Sequence, residues 1–361
     1  MVTEQEIREA LSSVMDPELK RSIVELGMVQ DIHLQDNELE LTLALTTLAC
    51  PLKERIVADI KSAIRGVDGG LLVDVKLTEM SQEERAKALG GQQPEHIAEA
   101  FNEIGHVIAV MSGKGGVGKS SVAALLSIAL RRKGERVGLL DADITGPSIP
   151  RMFGLQGVPG SSPLGLLPAE TTSGIKVMSI NLLLPNEDQA VIWRGPLISG
   201  AIRQFWGDVF WGSLDTLVID LPPGTSDATL TVMQSIPLSG VLLVTSPQDL
   251  AGMVVRKAAH MAKQLSVPIL GLIENMSYVQ CPDCGKEIRV FGPSRAEDTA
   301  EALGIPLLGR IPLDSDLAEL CDAGHVEDYA ATAFVSIAEK ISAAVPDVKC
   351  KPLGAAKGKG E

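Results

Sequence analysis

Residues 112 to 121, Ser-Gly-Lys-Gly-Gly-Val-Gly-Lys-Ser-Ser, constrain this chain more than any other stretch, because they sit between an apolar run at 106–111 and an apolar helical pattern. Gly113, four residues, then Gly118-Lys119-Ser120 is the spacing of a phosphate-binding loop, and a strand before it with a helix after it is the context that gives the spacing meaning. The glycines let backbone N–H groups turn inward around phosphates, Lys119 neutralises charge on the outer ones, and the Ser120 hydroxyl can bind magnesium. A glycine turn with a purely structural task needs neither Lys119 nor Ser120. The expected ligands are therefore ATP and Mg2+, with Gly113, Lys114, Gly115, Gly116, Val117, Gly118, Lys119, Ser120 and Ser121 forming the cradle.

Beyond this loop, short apolar runs at 106–111, 136–140, 175–180, 216–219, 240–244, 269–273 and 305–308 are bounded by glycine, proline or aspartate, with helical patterns between most of them. Runs apolar on both faces and alternating with helices predict a mainly parallel sheet covered on each side, an α/β fold of the P-loop NTPase type. Upstream, Thr3 and Glu6 have capping-box spacing, and Ile7, Leu11 and Val14 share one helical face. A hairpin follows around Asp36-Asn37, with Leu39, Leu41, Leu43 and Leu45 alternating. A helical pattern through Ile56, Ile60 and Ile64 leads to the alternating Val73, Val75 and Leu77, giving α-β-β-α-β. The 361 residues exceed one compact core. The expected division is a small α+β domain at 1–78, a polar linker at 79–104 containing Gly90-Gly91-Gln92-Gln93-Pro94, the large domain at 105–345, and a flexible tail at 346–361.

The chain is 45% hydrophobic and 22% charged, ordinary values for a globular protein. No uncharged apolar run approaches the roughly 18 residues a membrane span requires. The N-terminal Met-Val-Thr-Glu-Gln-Glu has no signal-peptide character, so a cytoplasmic location is expected. A net charge of -14 without any long basic run excludes nucleic acid as an expected partner, and nothing points to a membrane. Five cysteines in such a chain are free thiols or metal ligands rather than a disulfide framework.

Two more segments deliver carboxylates at strand ends, where ligands bind in open α/β sheets. Asp141-Ala-Asp143 offers Asp143 to orient an attacking water and Asp141 to support magnesium through a water; an aspartate after a strand is also often a turn former or helix cap. The apolar run ending Ile219-Asp220, followed by Leu-Pro-Pro-Gly224-Thr, looks like a Walker B strand, with Asp220 holding the magnesium hydration shell and Gly224 letting a backbone approach the terminal phosphate. Asp227 is placed to cap the next helix. Asn275, after another strand, reads on its own as a turn residue.

Cys281-Pro-Asp-Cys284-Gly is half of a metal knuckle, since two intervening residues let both thiolates face one ion or cluster. Four sulfur ligands are usual for structural zinc or a 4Fe-4S cluster, and no second C-x-x-C occurs. A two-fold dimer supplies the pair twice. A zinc site built the same way and a redox dithiol stay open as alternatives. Cys321 reads as a small core residue and Cys350 as incidental.

The extra lysine of the loop, Lys114, resembles the signature of the MinD, ParA and nitrogenase iron-protein class. That resemblance implies that Lys114 reaches across a dimer to the partner's nucleotide, acting with Lys119 and Asp143 in catalysis, and that Asn275 recognises adenine. Segments 112–121, 141–148, Trp193-Arg194-Gly195-Pro196, 220–227, Glu274-Asn275-Met276-Ser277 and 281–285 together resemble the Mrp (ApbC-like) iron-sulfur carrier ATPases. The resemblance implies a homodimer that holds a labile 4Fe-4S cluster between its C-x-x-C motifs, receives it from cluster donors and transfers it to apo-proteins, with ATP controlling the cycle. Asp16-Pro17-Glu18-Leu19 and Thr47-Leu48-Ala49-Cys50-Pro51 resemble the MIP-type iron-sulfur assembly domain. Pro51 suits a first helical position, which puts Cys50 at the positive helix end, either reactive or buried and inert.

Two other functions compete: a MinD/ParA-like positioning ATPase and a zinc-stabilised metabolic P-loop enzyme. Against the first stand the acidic chain, the absence of a basic amphipathic C-terminal helix, and a cysteine pair left without a task.

Overall fold

Alternation in 38–45 explains the small domain's sheet: Leu39, Leu41, Leu43 and Leu45 are at most 2% exposed, while Glu38 lies on the solvent side. The structure is a computed structural model that describes residues 3–16, 21–35, 38–45, 53–68, 70–80, 98–184, 193 and 195–346. Cys50, the 17–19 and 47–51 parts of the two small-domain motifs, Asp36-Asn37, most of the linker, Arg194, Cys350 and nearly all of the tail lie outside the described residues. The chain divides into one compact unit of Met1–Ile97 with Ser161–Gly165 and a second of Ala98–Gly160 with Leu166–Glu361.

In the first unit, helix Glu4–Leu11 begins at a true capping box, with Thr3 and Glu6 each bonding the other's backbone N–H. Strands β1 (Val29–Gln35) and β2 (Glu38–Leu45) pair antiparallel, and β3 (Leu72–Glu79) joins β2 in parallel after helix Lys53–Val67. The order is the expected α-β-β-α-β. Ile7, Leu11, Ile56, Ile60 and Ile64 are buried in one core with the leucines of β2. Each such side chain contributes roughly 1.5–3 kcal/mol by leaving water.

The second unit carries an eight-stranded sheet in the order β15-β12-β11-β4-β10-β5-β9-β8. Its members are β4 (Glu103–Ser112), β5 (Val137–Asp141), β8 (Ala169–Glu170), β9 (Lys176–Ser179), β10 (Ser213–Asp220), β11 (Gly240–Thr245), β12 (Ile269–Glu274) and β15 (Leu307–Arg310); the short strands β6 (Ser161–Ser162) and β7 (Gly165–Leu166) pair apart from it. All seven apolar runs became strands, paired in parallel. Edge strand β8, antiparallel to β9, has only two residues and carries no periodicity that sequence could reveal.

Successive residues of the central strand feed two cores. Val107, Ala109 and Met111 pack with helices Gly195–Gly207, Asp227–Ser235, Asp249–Gln264 and Ala296–Leu303, whereas Ile108 and Val110 pack with Lys119–Arg132 and Thr332–Ala344. A strand buried on both faces must be apolar throughout, hence the continuous runs. The chain leaves β4 and enters β5 two positions away, across β10, so a crevice opens above the C-terminal ends of these three strands.

Candidate functional site

The loop of residues 113–118 fills that crevice. Gly113 must be glycine because a Cβ there would collide with the backbone of Val254 and Val255; Gly116 and Gly118 have φ of +79° and +74°. Left-handed turns of this kind direct consecutive N–H groups inward. Helix Lys119–Arg132 starts directly behind them with no side-chain cap and no acidic residue in its first turn. Its free N–H groups and positive end form a site for an anion. The loop is fastened to its surroundings by the Ser112 hydroxyl on the Lys114 carbonyl at 3.0 Å and by the Gly224 N–H on the Ser112 carbonyl at 2.9 Å.

Lys119 is 6% exposed and its ammonium donates to Oδ1 of Asp220, itself 1% exposed. Strand register sets Asp220 beside Asp141 on β5 and Val110 on β4. Asp141 is fully buried and accepts from the N–H groups of Asp143 and Ile149 and from the Ser179 hydroxyl. Burial, and then the neighbouring Asp220 charge, push its carboxyl up to about 8. Burial likewise raises Asp220, against the opposing pull of Lys119 and the Ser120 hydroxyl. Oδ2 of Asp220 is buried without a hydrogen-bond partner among the described residues. A buried carboxylate oxygen with an open valence beside a serine hydroxyl is the hard oxygen set that Mg2+ takes, so these residues fit the ion.

Asp143 is turned into its own loop, where Oδ1 accepts from the Thr145 hydroxyl at 3.0 Å and the Gly146 N–H at 3.2 Å. Lys114 is exposed, with Nζ on Oε1 of Gln248 at 3.0 Å. Asn275 is 4% exposed and donates through Nδ2 to the Val117 carbonyl at 3.0 Å. Ser226, rather than Asp227, caps helix Asp227–Ser235. A Cβ on Gly195 would meet the end of the Asp227 side chain, which lies against this motif position.

The fold thus gathers the loop, Asp141, Asp220, Gly224 and Asn275 at one sheet edge. Cys281 and Cys284 sit apart, on a hairpin of β13 (Val279–Gln280) and β14 (Glu287–Ile288). Gly285, at φ +70°, lets its N–H return to the Cys281 carbonyl at 2.9 Å, while the Cys281 N–H reaches the Lys286 carbonyl at 3.0 Å. The backbone N–H of Cys284, then that of Asp283, then the Cys284 thiol stabilise the Cys281 thiolate and lower its pKa. Cys284 is exposed and Cys281 half-buried. Among the described residues no group of three or more His, Cys, Asp or Glu could hold a metal ion. Cys321 packs against one core, and burial lifts its thiol to about 11.

Sequence reasoning missed Gln248 and Ser179, which partner Lys114 and Asp141. Ser179 ends β9 and Gln248 follows the end of β11 as the N-cap of helix Asp249–Gln264, and that shared edge was the available signal.

A strand, a glycine loop with two lysines, an uncapped helix and a carboxylate on the neighbouring strand define a P-loop NTPase. A family model described as NUBPL iron-transfer P-loop NTPase matches residues 103–345, and one described as iron-sulfur cluster assembly protein matches residues 4–77. The chain belongs to this iron-transfer P-loop NTPase family. It is 41% identical over 356 residues to an iron-sulfur cluster carrier protein of Synechocystis, covering 96% of this chain and 98% of the relative. A carrier protein of the same name from Methanocaldococcus jannaschii is 51% identical over 240 residues, 66% of this chain and 83% of that one. Among solved structures, a nucleotide-binding protein from Archaeoglobus fulgidus in complex with ADP is 50% identical, with a TM-score of 0.58 over 64% of this chain and 91% of its own. No helix among the described residues is long and apolar enough to cross a membrane.

Proposed function

We propose that this protein is a cytoplasmic, ATP-dependent iron-sulfur cluster carrier: two copies bind one labile 4Fe-4S cluster between Cys281 and Cys284 of each, take it from a donor and pass it to apo-proteins. The observation that carries this reading is the knuckle, which offers two accessible thiols, one held toward the thiolate form, and no further ligand group among the described residues. Two ligands hold a cluster weakly and four hold it well, so a second copy completes the site. Weak or incomplete ligation from either side is what a donor of clusters needs.

In the nucleotide half, the loop N–H groups and Lys119 bind the phosphates of ATP. Ser120 and Asp220 hold Mg2+, which screens charge on the outer phosphates, and Asp141 supports that shell. Lys114 reaches the partner's nucleotide and stabilises charge as the terminal phosphate leaves, while Asp143 orients the attacking water. Asn275 faces the adenine.

Anaerobic reconstitution with iron and sulfide tests this reading. About four irons and four sulfides per dimer, lost in Cys281→Ala, are expected from four-thiolate ligation. Full cluster uptake by Cys281→Ala removes the site, and stoichiometric zinc without sulfide in anaerobically purified protein replaces the carrier by a zinc-stabilised enzyme.

A further inference from the structure

Asn275 joins two features that the sequence presents separately. Its Nδ2 donates to the Val117 carbonyl at 3.0 Å and leans on the Gly118 carbonyl at 3.5 Å. The Val117 carbonyl and the Gly118 N–H belong to one peptide unit, which is planar. A phosphate that engages the Gly118 N–H therefore cannot turn this peptide without turning the carbonyl that Asn275 holds. Gly118 permits such a turn, having no side chain and a φ of +74°; a Cβ there would collide with the Asn275 amide.

Cys281 follows Asn275 by six residues, and the backbone between them is tied down almost continuously. The Asn275 N–H bonds the Thr245 carbonyl at 2.8 Å, the Ser277 N–H bonds Ile311 at 2.9 Å, and the Tyr278 carbonyl accepts from Leu313 at 2.7 Å. Val279 and Gln280 then pair with Ile288 and Glu287, and Cys281 closes on Lys286. Met276 is the exception in conformation, a non-glycine residue at φ +55°. Left-handed backbone in a long side-chain residue costs on the order of 1 kcal/mol and persists where neighbours enforce it. An arm this short and this tethered has little slack with which to absorb movement at its root.

We infer that Asn275 is a positioning residue that couples the phosphate loop to the cysteine knuckle: reorientation of the Val117–Gly118 peptide on nucleotide binding is passed along residues 275–281 and changes the accessibility of Cys281 and Cys284. Coupling of this kind is reciprocal, so modification of the thiols alters nucleotide affinity by the same factor. The inference deepens the carrier reading but rests only on its nucleotide half, because it concerns the thiols themselves and not what they bind.

The test uses the reduced, metal-free full chain. Iodoacetamide alkylation at Cys281 and Cys284 is followed by peptide mass, with and without Mg-ADP at concentrations shown by calorimetry to saturate each variant, and light scattering holds the oligomeric state equal. The expected result is a rate change of about fivefold or more in the wild type, with Cys321 unaffected. In Asn275→Ala, and in Met276→Gly, which keeps the amide donor but relaxes the arm, the change collapses to less than about twofold. Equal rates with and without nucleotide in the wild type overturn the inference, as does the full change persisting in either variant. A protein that takes up no cluster yet shows nucleotide-dependent alkylation loses the carrier reading and keeps the coupling.

Discussion

The ammonium of Lys119 rests on the carboxylate of Asp220, and both are shut away from solvent. A buried pair of this kind has its worth in compensation: remove one partner and the other is left charged in a poor medium. Lys119→Ala should therefore destabilise the second unit by about 3 kcal/mol near neutral pH, and by less as the pH falls, because burial raises the Asp220 carboxyl and a proton relieves the stranded charge. Lys119→Met with Asp220→Asn should recover most of the loss. All three tryptophans, Trp193, Trp206 and Trp211, lie in the large domain, so their fluorescence in urea reads this quantity alone.

Lys114 differs from Lys119 in lying exposed, with Gln248 its one hydrogen-bond acceptor among the described residues. A lysine outside the pocket adds little to ground-state binding within one chain, whereas a cation delivered to a departing phosphate acts on the transition state. Lys114→Ala is expected to leave ATP affinity within about threefold while lowering hydrolysis by roughly 10³-fold, the scale of an arginine finger. Calorimetry for binding and phosphate release across a range of protein concentrations separate the two effects. Unchanged turnover would remove the cross-dimer role.

How much of this was legible beforehand follows from how local each cause is. The parallel sheet was readable because both-face burial leaves uninterrupted apolar runs, and β8 was not, because two residues pairing at an edge leave no period. Gly113, Gly118 and Lys119 were readable because the loop's spacing is itself the constraint. Gln248 was invisible for the opposite reason: 134 residues separate it from Lys114, and only the strand order brings β11 beside β4. Asn275 is intermediate. Its position after a strand was clear, but its bond to the Val117 carbonyl depends on how β12 and the loop meet in space, which no local pattern encodes.

Asp141 gives a pH dependence whose sign is fixed by its surroundings. Its carboxyl titrates at about 8 in the fold against an ordinary 3.8, so between these values the native state holds a proton that the unfolded chain has released. Stability then falls as pH rises, and this contribution is complete below about 4 and lost above about 8. Asp141→Asn, which cannot ionise, should flatten the decline relative to the wild type in urea titrations from pH 5 to 9. A wild-type slope equal to that of the variant would mean that Asp141 is ionised throughout.

The two thiols at opposite ends of the reactivity scale lie within one unit. Cys281 accepts N–H groups from Cys284 and Asp283, which stabilise its anion, whereas Cys321 is held neutral by burial and by the Asp322 charge. Alkylation requires the thiolate, so the rate at each cysteine follows its own titration. With iodoacetamide and peptide mass readout, the midpoint at Cys281 should fall below the usual 9.0 and that at Cys321 should lie well above it. Asp283→Pro deletes one donor N–H without touching either cysteine, and should move the Cys281 midpoint back toward the ordinary value. If the proline variant titrates like the wild type, the Asp283 N–H has no part in holding the thiolate, and the Cys284 N–H carries that task.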